Sequence, residues 1–239
     1  MKVLEPCLVV FTGMAAAGKS TTGKEIARLV LNAVYLDRDP GMWAMLCVPV
    51  EDSPTLPTFE AYVREDGLLP DNVKEVQTFM GPILKPTKRT GLYKRHVSKQ
   101  SYLVMAAYAA EFLKLGKVVI VEPFLQRMIE DGTLKRFLEL PDFSNFPKRV
   151  IHFVADMNTL FERNRARMAE YGEDERSARS MFSLDNQEVF AKEMEATHSG
   201  KPRGLDEVPH FVCDTTERPI GKCVLECIQY IKYGQDEVI

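Results

Sequence analysis

The chain has 239 residues, 45% hydrophobic and 27% charged, the make-up of a folded globular protein; that length suits one α/β domain with an insertion better than two independent domains. A net charge of −3 gives no global electrostatic pull toward nucleic acid or an anionic membrane. The apolar runs fall well short of the roughly 20 residues a membrane helix needs, and Met1-Lys2-Val3-Leu4-Glu5-Pro6 lacks a signal-peptide pattern, so the expected location is the cytoplasm.

Strand-like and helix-like segments alternate along the chain, the pattern of a parallel sheet covered by helices. The first strand is read at Cys7 to Phe11 and leads into Gly13-Met14-Ala15-Ala16-Ala17-Gly18-Lys19-Ser20-Thr21. This fits the phosphate-loop pattern G-x-x-x-x-G-K-[ST], in which backbone N–H groups curl around an anion, Lys19 reaches the outer phosphates and the Ser20 hydroxyl offers Mg²⁺ an oxygen. A helix from Lys19 to Leu31, with Ile26, Leu29 and Val30 as its apolar stripe, would aim its N-terminal dipole at the phosphates. The motif therefore implies a bound nucleoside triphosphate.

A second strand, Ala33-Val34-Tyr35-Leu36, stops at Asp37-Arg38-Asp39. On spacing alone the two aspartates suit an Asp-rich turn as well as a site. With a phosphate loop one helix earlier, Asp37 is read as support or as the holder of a metal-bound water, and Asp39 as the base that takes a proton from an attacking hydroxyl. Residues 43–95 hold 6 of the 14 prolines and the only tryptophan without one sustained period, and are read as a helical insertion. Its entry at the carboxyl edge of the sheet favours a substrate-covering role. Lys94-Arg95-His96-Val97-Ser98 precedes a long helix, and Arg95, His96 and Ser98 are candidates for holding an anionic substrate group, although Ser98 serves equally as a helix cap.

The long helix is read over Val97 to Leu115, with Val97, Ser101, Val104, Tyr108, Phe112 and Leu115 as its periodic face and Gly116 as its stop. Val118 to Val121 is apolar throughout, as a central parallel strand is, and Glu122 closes it where a carboxylate can hold Mg²⁺ through water or meet the substrate. Further strands are read at Val150 to Val154 and Pro209 to Cys213, with a last helix from near Pro219 to Tyr233. Between them, residues 157–200 form a candidate lid rich in arginine. A guanidinium neutralises a transferring phosphoryl group well, and of Arg163, Arg165, Arg167, Arg176 and Arg179 the chosen candidates are Arg165, Arg167 and Arg179. Asp214 and Thr215 follow the last strand, in the region where this architecture often holds the adenine. Of the 5 cysteines (Cys7, Cys47, Cys213, Cys223, Cys227), Cys223 and Cys227 stand four apart on a helix, a spacing that can pin a metal, but no second ligand pair accompanies them, and all read as reduced, buried thiols.

The order of phosphate loop, Asp37-Arg38-Asp39, long helix, strand ending in Glu122 and arginine-bearing lid resembles the P-loop small-molecule kinases. Gluconate and adenylylsulfate kinases carry a similar acid-Gly-acid turn. Zeta-toxin-like kinases are nearer: a segment similar to Lys94-Arg95-His96-Val97-Ser98 begins the helix before their third strand, and that strand ends in Ile-Glu-Gly where this chain has Val121-Glu122-Pro123. The resemblance covers roughly residues 5 to 40 and 93 to 233, and the insertion is much longer here. It implies a three-layer P-loop NTPase sandwich in one domain over 1–239, with a five-stranded parallel sheet of order 2-3-1-4-5. It also implies Asp39 as catalytic base, and lid arginines at Arg165 or Arg167 and at Arg176 or Arg179. Zeta toxins phosphorylate a UDP-linked amino sugar, a specificity not carried over.

The expected activity is ATP- and Mg²⁺-dependent phosphorylation of a hydroxyl on a small metabolite or nucleotide-like molecule. A nucleotide-hydrolysing switch acting through a protein partner is the main rival; the Asn-Lys-x-Asp guanine motif is absent from the sequence. A polynucleotide 5′-kinase needs a basic groove, which only Lys85, Lys88, Arg89 and the Lys94-Arg95 pair begin to supply. A protein partner is suggested by analogy with toxin–antitoxin pairs alone.

Overall fold

The computed structural model describes residues 3–37, 98–124, 126–170, 183, 185–197 and 202–234. Five parallel strands form one sheet of order β2-β3-β1-β4-β5: β1 Leu8–Gly13, β2 Ala33–Asp37, β3 Val118–Phe124, β4 Lys148–Val154 and β5 His210–Asp214. This is the P-loop NTPase sheet expected from the sequence. Every residue of β1 is buried, because β1 lies between β3 and β4 with helices over both faces. Its register runs Leu8↔Val119 and Val10↔Val121 on one side and Val10↔Val150 and Gly13↔Phe153 on the other. Between Val10 and Thr12 the β1–β3 register shifts, so that Thr12 faces Phe124. The surplus on β3 falls at Glu122-Pro123, where proline has no N–H for the ladder, and β3 extends beyond the expected end at Val121.

Helix α1 (Lys19–Leu29) buries Ile26 and packs Leu29 and Val30 toward the core, as expected. Helix α2 (Ser98–Lys114) ends in a Schellman motif: Gly116 has φ 76, its N–H donates to Leu113 O (2.9 Å), and Lys117 N–H donates to Phe112 O (3.1 Å). The expected apolar face of α2 is corrected. Met105, Ala106, Ala109, Ala110 and Leu113 are buried, whereas Tyr108 is 60% exposed and Leu115 71%. Burial along α2 follows the line of alanines, not the line of bulky side chains. Short α3 (Gln126–Glu130) and α4 (Thr133–Leu138) lead to β4; α5 (Met157–Ala169) and α6 (Gln187–Thr197) occupy the expected lid region, where Phe161 and Phe190 pack edge-on at 5.3 Å. Helix α7 (Ile220–Tyr233) follows Pro219, which stands at the N-cap with ψ 137 and not inside the first turn.

Cys7, Cys213, Cys223 and Cys227 are free and buried, and burial pushes the Cys7 thiol up to about 12; Cys47 lies outside the described residues. Among the described residues no helix is long and apolar enough to cross a membrane. The chain divides into one compact unit of residues 1–37, 105–172 and 180–239 and a second of 38–104 and 173–179, of which 98–104 are described. The 43–95 insertion lies outside the described residues.

Asn32 ties three backbone segments of the first unit. Its Oδ1 accepts from Leu4 N–H (3.1 Å), and its Nδ2 donates to Leu4 O (2.8 Å) and Gly116 O (3.0 Å). Replacing it with alanine leaves these part-buried groups without partners, so Asn32→Ala is expected to cost about 2 kcal/mol. A urea unfolding curve checks this: the midpoint should fall at unchanged slope, and an unmoved midpoint would show that water replaces the clamp.

Candidate nucleotide and metal site

The loop between β1 and α1 is shaped by residues with positive φ: Gly13 (126°), Ala16 (61°) and Gly18 (86°). Such turns direct successive backbone N–H groups to one side and make an anion-binding concavity. Gly18 is the left-handed N-cap of α1, which has no side-chain cap and no acidic residue in its first turn. The helix end thus presents its positive dipole without a built-in counter-charge, which suits a phosphate group.

Lys19 is only 8% exposed, and its ammonium donates to Gly13 O (3.2 Å) and Met14 O (2.6 Å) while lying 3.8 Å from Glu122 Oε1. Ser20 Oγ donates to the same Glu122 oxygen at 3.1 Å. Across the sheet, Asp37 pairs in register with Glu122 at the carboxyl ends of β2 and β3. Three residues expected from sequence to serve a metal, Ser20, Asp37 and Glu122, therefore meet at one edge beside Lys19. No group of three or more His, Cys, Asp or Glu that could hold a metal occurs among the described residues. The set is a hydroxyl with two hard carboxylates, too few for an all-protein cage. It fits Mg²⁺, which keeps waters and takes substrate phosphate oxygens.

Sequence reasoning missed Tyr35. Its hydroxyl donates to Glu122 Oε2 at 2.5 Å, leaving Oε1 to Ser20 and Lys19. Burial, then the adjacent Glu122 charge, pushes the Tyr35 phenol far above the ordinary tyrosine range, so it keeps its proton and remains a donor. The available signal was its place two residues before Asp37, on the same face of β2.

Among the described lid arginines, Arg163 bonds to the segment that touches the phosphate loop. Its Nη1 donates to Thr215 Oγ1 and its Nη2 to Thr215 O, both at 2.8 Å. Thr215 Oγ1 in turn lies 3.2 Å from Ala17 O and from Val154 O, and its Cγ2 stands beside Gly18. Asp156 caps α5 by accepting from Thr159 N–H (2.8 Å), and its own N–H donates to Thr216 Oγ1 (2.9 Å), which fixes the helix against the segment after β5. Asp214 turns back to accept from Thr216 N–H, a bond that holds its carboxyl below the ordinary range. Arg167 donates to Asn164 Oδ1 (2.9 Å), and Arg165 is exposed. Asp39, Arg95, His96, Arg176 and Arg179 lie outside the described residues, as does the side chain of Ser98, the first residue of α2.

A model of the AAA domain family matches residues 8–188. No curated protein matches the chain. Among solved structures, a protein from Chloroflexus aurantiacus is 19% identical with TM-score 0.51, covering 97% of this chain and 98% of its own. Shikimate kinase from Acinetobacter baumannii, in complex with shikimate, is 14% identical with TM-score 0.51, covering 98% of this chain and 96% of its own. At these identities the likeness is one of fold. With the family match spanning most of the chain and taking in the glycine loop, Lys19, Ser20 and Glu122, the protein belongs to the AAA domain family and has the P-loop NTPase fold.

Proposed function

We propose that the chain is an ATP- and Mg²⁺-dependent kinase that phosphorylates a hydroxyl of a small metabolite or nucleotide-like molecule. The observation that carries this reading is the meeting of Lys19, Ser20, Glu122 and Asp37 at the mouth of the phosphate loop. The fold shared with a shikimate kinase is consistent with it. Mg²⁺ held by Ser20, with Glu122 and Asp37 acting through water, would neutralise charge on the β- and γ-phosphates.

In this reading Lys19 and the loop from Gly13 to Thr21 hold the phosphates. Asp39, two residues beyond Asp37, accepts the proton of the acceptor hydroxyl. Arg165, Arg167 and Arg179 remain candidates for stabilising the transferring group, and Arg163 joins them because its bonds to Thr215 already place it beside the loop. Arg95, His96, Ser98 and the insertion are assigned to the acceptor, and the 157–200 region to a lid that excludes water. The zeta-toxin-like kinases are the group proposed as nearest, on Val121-Glu122-Pro123 and the segment before α2.

The test is transfer of γ-labelled phosphate from ATP, with Mg²⁺, into a fractionated small-metabolite extract. The wild type is expected to label a small molecule, and Asp39→Asn to lower that labelling on the order of 10²-fold, the contribution of a positioned general base. Label released only as inorganic phosphate, equally by both proteins, would overturn the kinase reading in favour of a nucleotide-hydrolysing switch.

A further inference from the structure

We infer that Tyr35 and Gly23 form a positioning device that sets the rotamer of Glu122, and through it the Mg²⁺ dependence of nucleotide binding; this rests on the phosphate and metal site proposed above. Glu122 has two oxygens with separate tasks: Oε1 takes Ser20 Oγ at 3.1 Å and lies 3.8 Å from Lys19 Nζ, while Oε2 takes the Tyr35 hydroxyl at 2.5 Å. A glutamate side chain has three rotatable bonds, and a single contact leaves it free to swing. Held at both oxygens, its carboxylate plane is defined, and Oε1 stays on the Ser20 side.

Tyr35 reaches this position because Gly23 lets it. A Cβ at Gly23 would stand 2.6 Å from Tyr35 Cδ2, 2.7 Å from Cε2 and 3.3 Å from Phe11 Cε2. Gly23 is in the second turn of α1, where glycine costs about 1 kcal/mol of helix propensity relative to alanine. The bare backbone there is the surface on which the Tyr35 ring lies. Gly23 and Tyr35 take no part in the phosphate-loop pattern, so neither is explained by the motif itself. Partners of a metal ligand or of a water-held carboxylate usually change metal affinity when removed, by about 10- to 100-fold. Tyr35 is accordingly a positioning residue that acts through Glu122.

The experiment titrates a fluorescent ATP analogue into the full chain with and without Mg²⁺, for the wild type, Tyr35→Phe, Gly23→Ala and the double variant. Tyr35→Phe keeps the ring and removes only the hydroxyl. It is expected to leave metal-free binding unchanged and to raise the Mg²⁺ concentration for half-maximal enhancement by about 10-fold, the lower end for such partners. Gly23→Ala, which displaces the ring, is expected to raise it comparably in the wild-type background and not further in Tyr35→Phe. Its cost in thermal midpoint should persist in both backgrounds, since the Cβ meets the ring with or without the hydroxyl. That split separates a metal-directed role from a merely structural one.

An Mg²⁺ dependence in Tyr35→Phe equal to wild type would overturn the inference, as would full additivity of the two substitutions in that dependence. A wild type that binds the Mg²⁺-nucleotide but transfers no phosphate, with Tyr35→Phe still shifted, would support the inference and overturn the kinase reading. No nucleotide binding by a folded wild type would overturn both.

Discussion

Lys19→Met is expected to lower phosphoryl transfer by at least about 10³-fold, the scale on which a preorganised cation or donor at a transferring phosphoryl group acts. Methionine keeps most of the apolar stem and removes the ammonium alone. That ammonium is not idle within the loop itself: it donates to Gly13 O at 3.2 Å and Met14 O at 2.6 Å, and it lies 3.8 Å from Glu122 Oε1. The carbonyls hold it at the root of the loop, where an incoming phosphate meets a positive charge already largely removed from water. Two readouts follow. Without nucleotide, the thermal midpoint should fall modestly, because two loop carbonyls and one carboxylate lose a partner in a buried place. With ATP and Mg²⁺ at 100 times the wild-type Kd, the wild type should gain about 2.7 kcal/mol of stability by linkage, and the variant nearly none. Lys19→Arg is not expected to rescue, since a planar guanidinium fork cannot occupy the compact place of an ammonium between two carbonyls. Transfer by Lys19→Met within tenfold of wild type would show that the loop amides suffice and that Lys19 serves the loop's own structure.

What was legible in the sequence follows from how local each determinant is. The uniform apolar runs of β1 and β3 announce strands buried on both faces, and the glycine motif between β1 and α1 fixes the loop, because these depend on neighbours in sequence. Glu122 was visible as a charge closing an apolar run. Tyr35 and Gly23 were not, because their relation requires the β2–β3 register and the approach of α1 to the sheet. The phase of α2 was misread by weighting bulk: Val104 and Tyr108 mark a periodic face that is exposed, while Ala106, Ala109 and Ala110 lie against the core. Helix α5 held more information than was used. Leu160, Phe161, Asn164 and Met168 are its buried line, and the Asp156 cap sets its start. Together these determine where Arg163 stands, a position that a count of arginines cannot distinguish from that of Arg165.

The two glycines of the phosphate loop are expected to answer alanine differently, and Gly13→Ala is expected to be the most destabilising single substitution proposed for this chain. At Gly13 a Cβ would stand 2.1 Å from the carbonyl oxygen of Phe153 and 3.0 Å from its C and N, on a backbone with φ 126. The obstructing atoms belong to the neighbouring strand, where Gly13 and Phe153 are register partners. They cannot turn aside as a side chain would; β1 and β4 must separate at the sheet's centre. Backbone strain of about 1–3 kcal/mol adds to overpacking of similar size, giving roughly 4 kcal/mol against the 5–15 kcal/mol of a typical domain. Gly18 has φ 86, but the nearest atoms to a Cβ there belong to the Thr215 side chain, Cγ2 at 3.7 Å and Oγ1 at 3.9 Å, ordinary contacts. Ala16, in the same loop, already holds a Cβ at φ 61. Gly18→Ala is therefore expected to cost only the left-handed conformation, about 1–2 kcal/mol. Urea midpoints of the two variants decide the matter: Gly13→Ala should unfold at far lower denaturant or fail to fold, with Gly18→Ala only modestly below wild type. Equal midpoints would mean that β4 yields readily at Phe153. Unequal ones would mean that the first glycine of the loop is required by the packing of two strands, and the second by the turn into the helix that faces the phosphates.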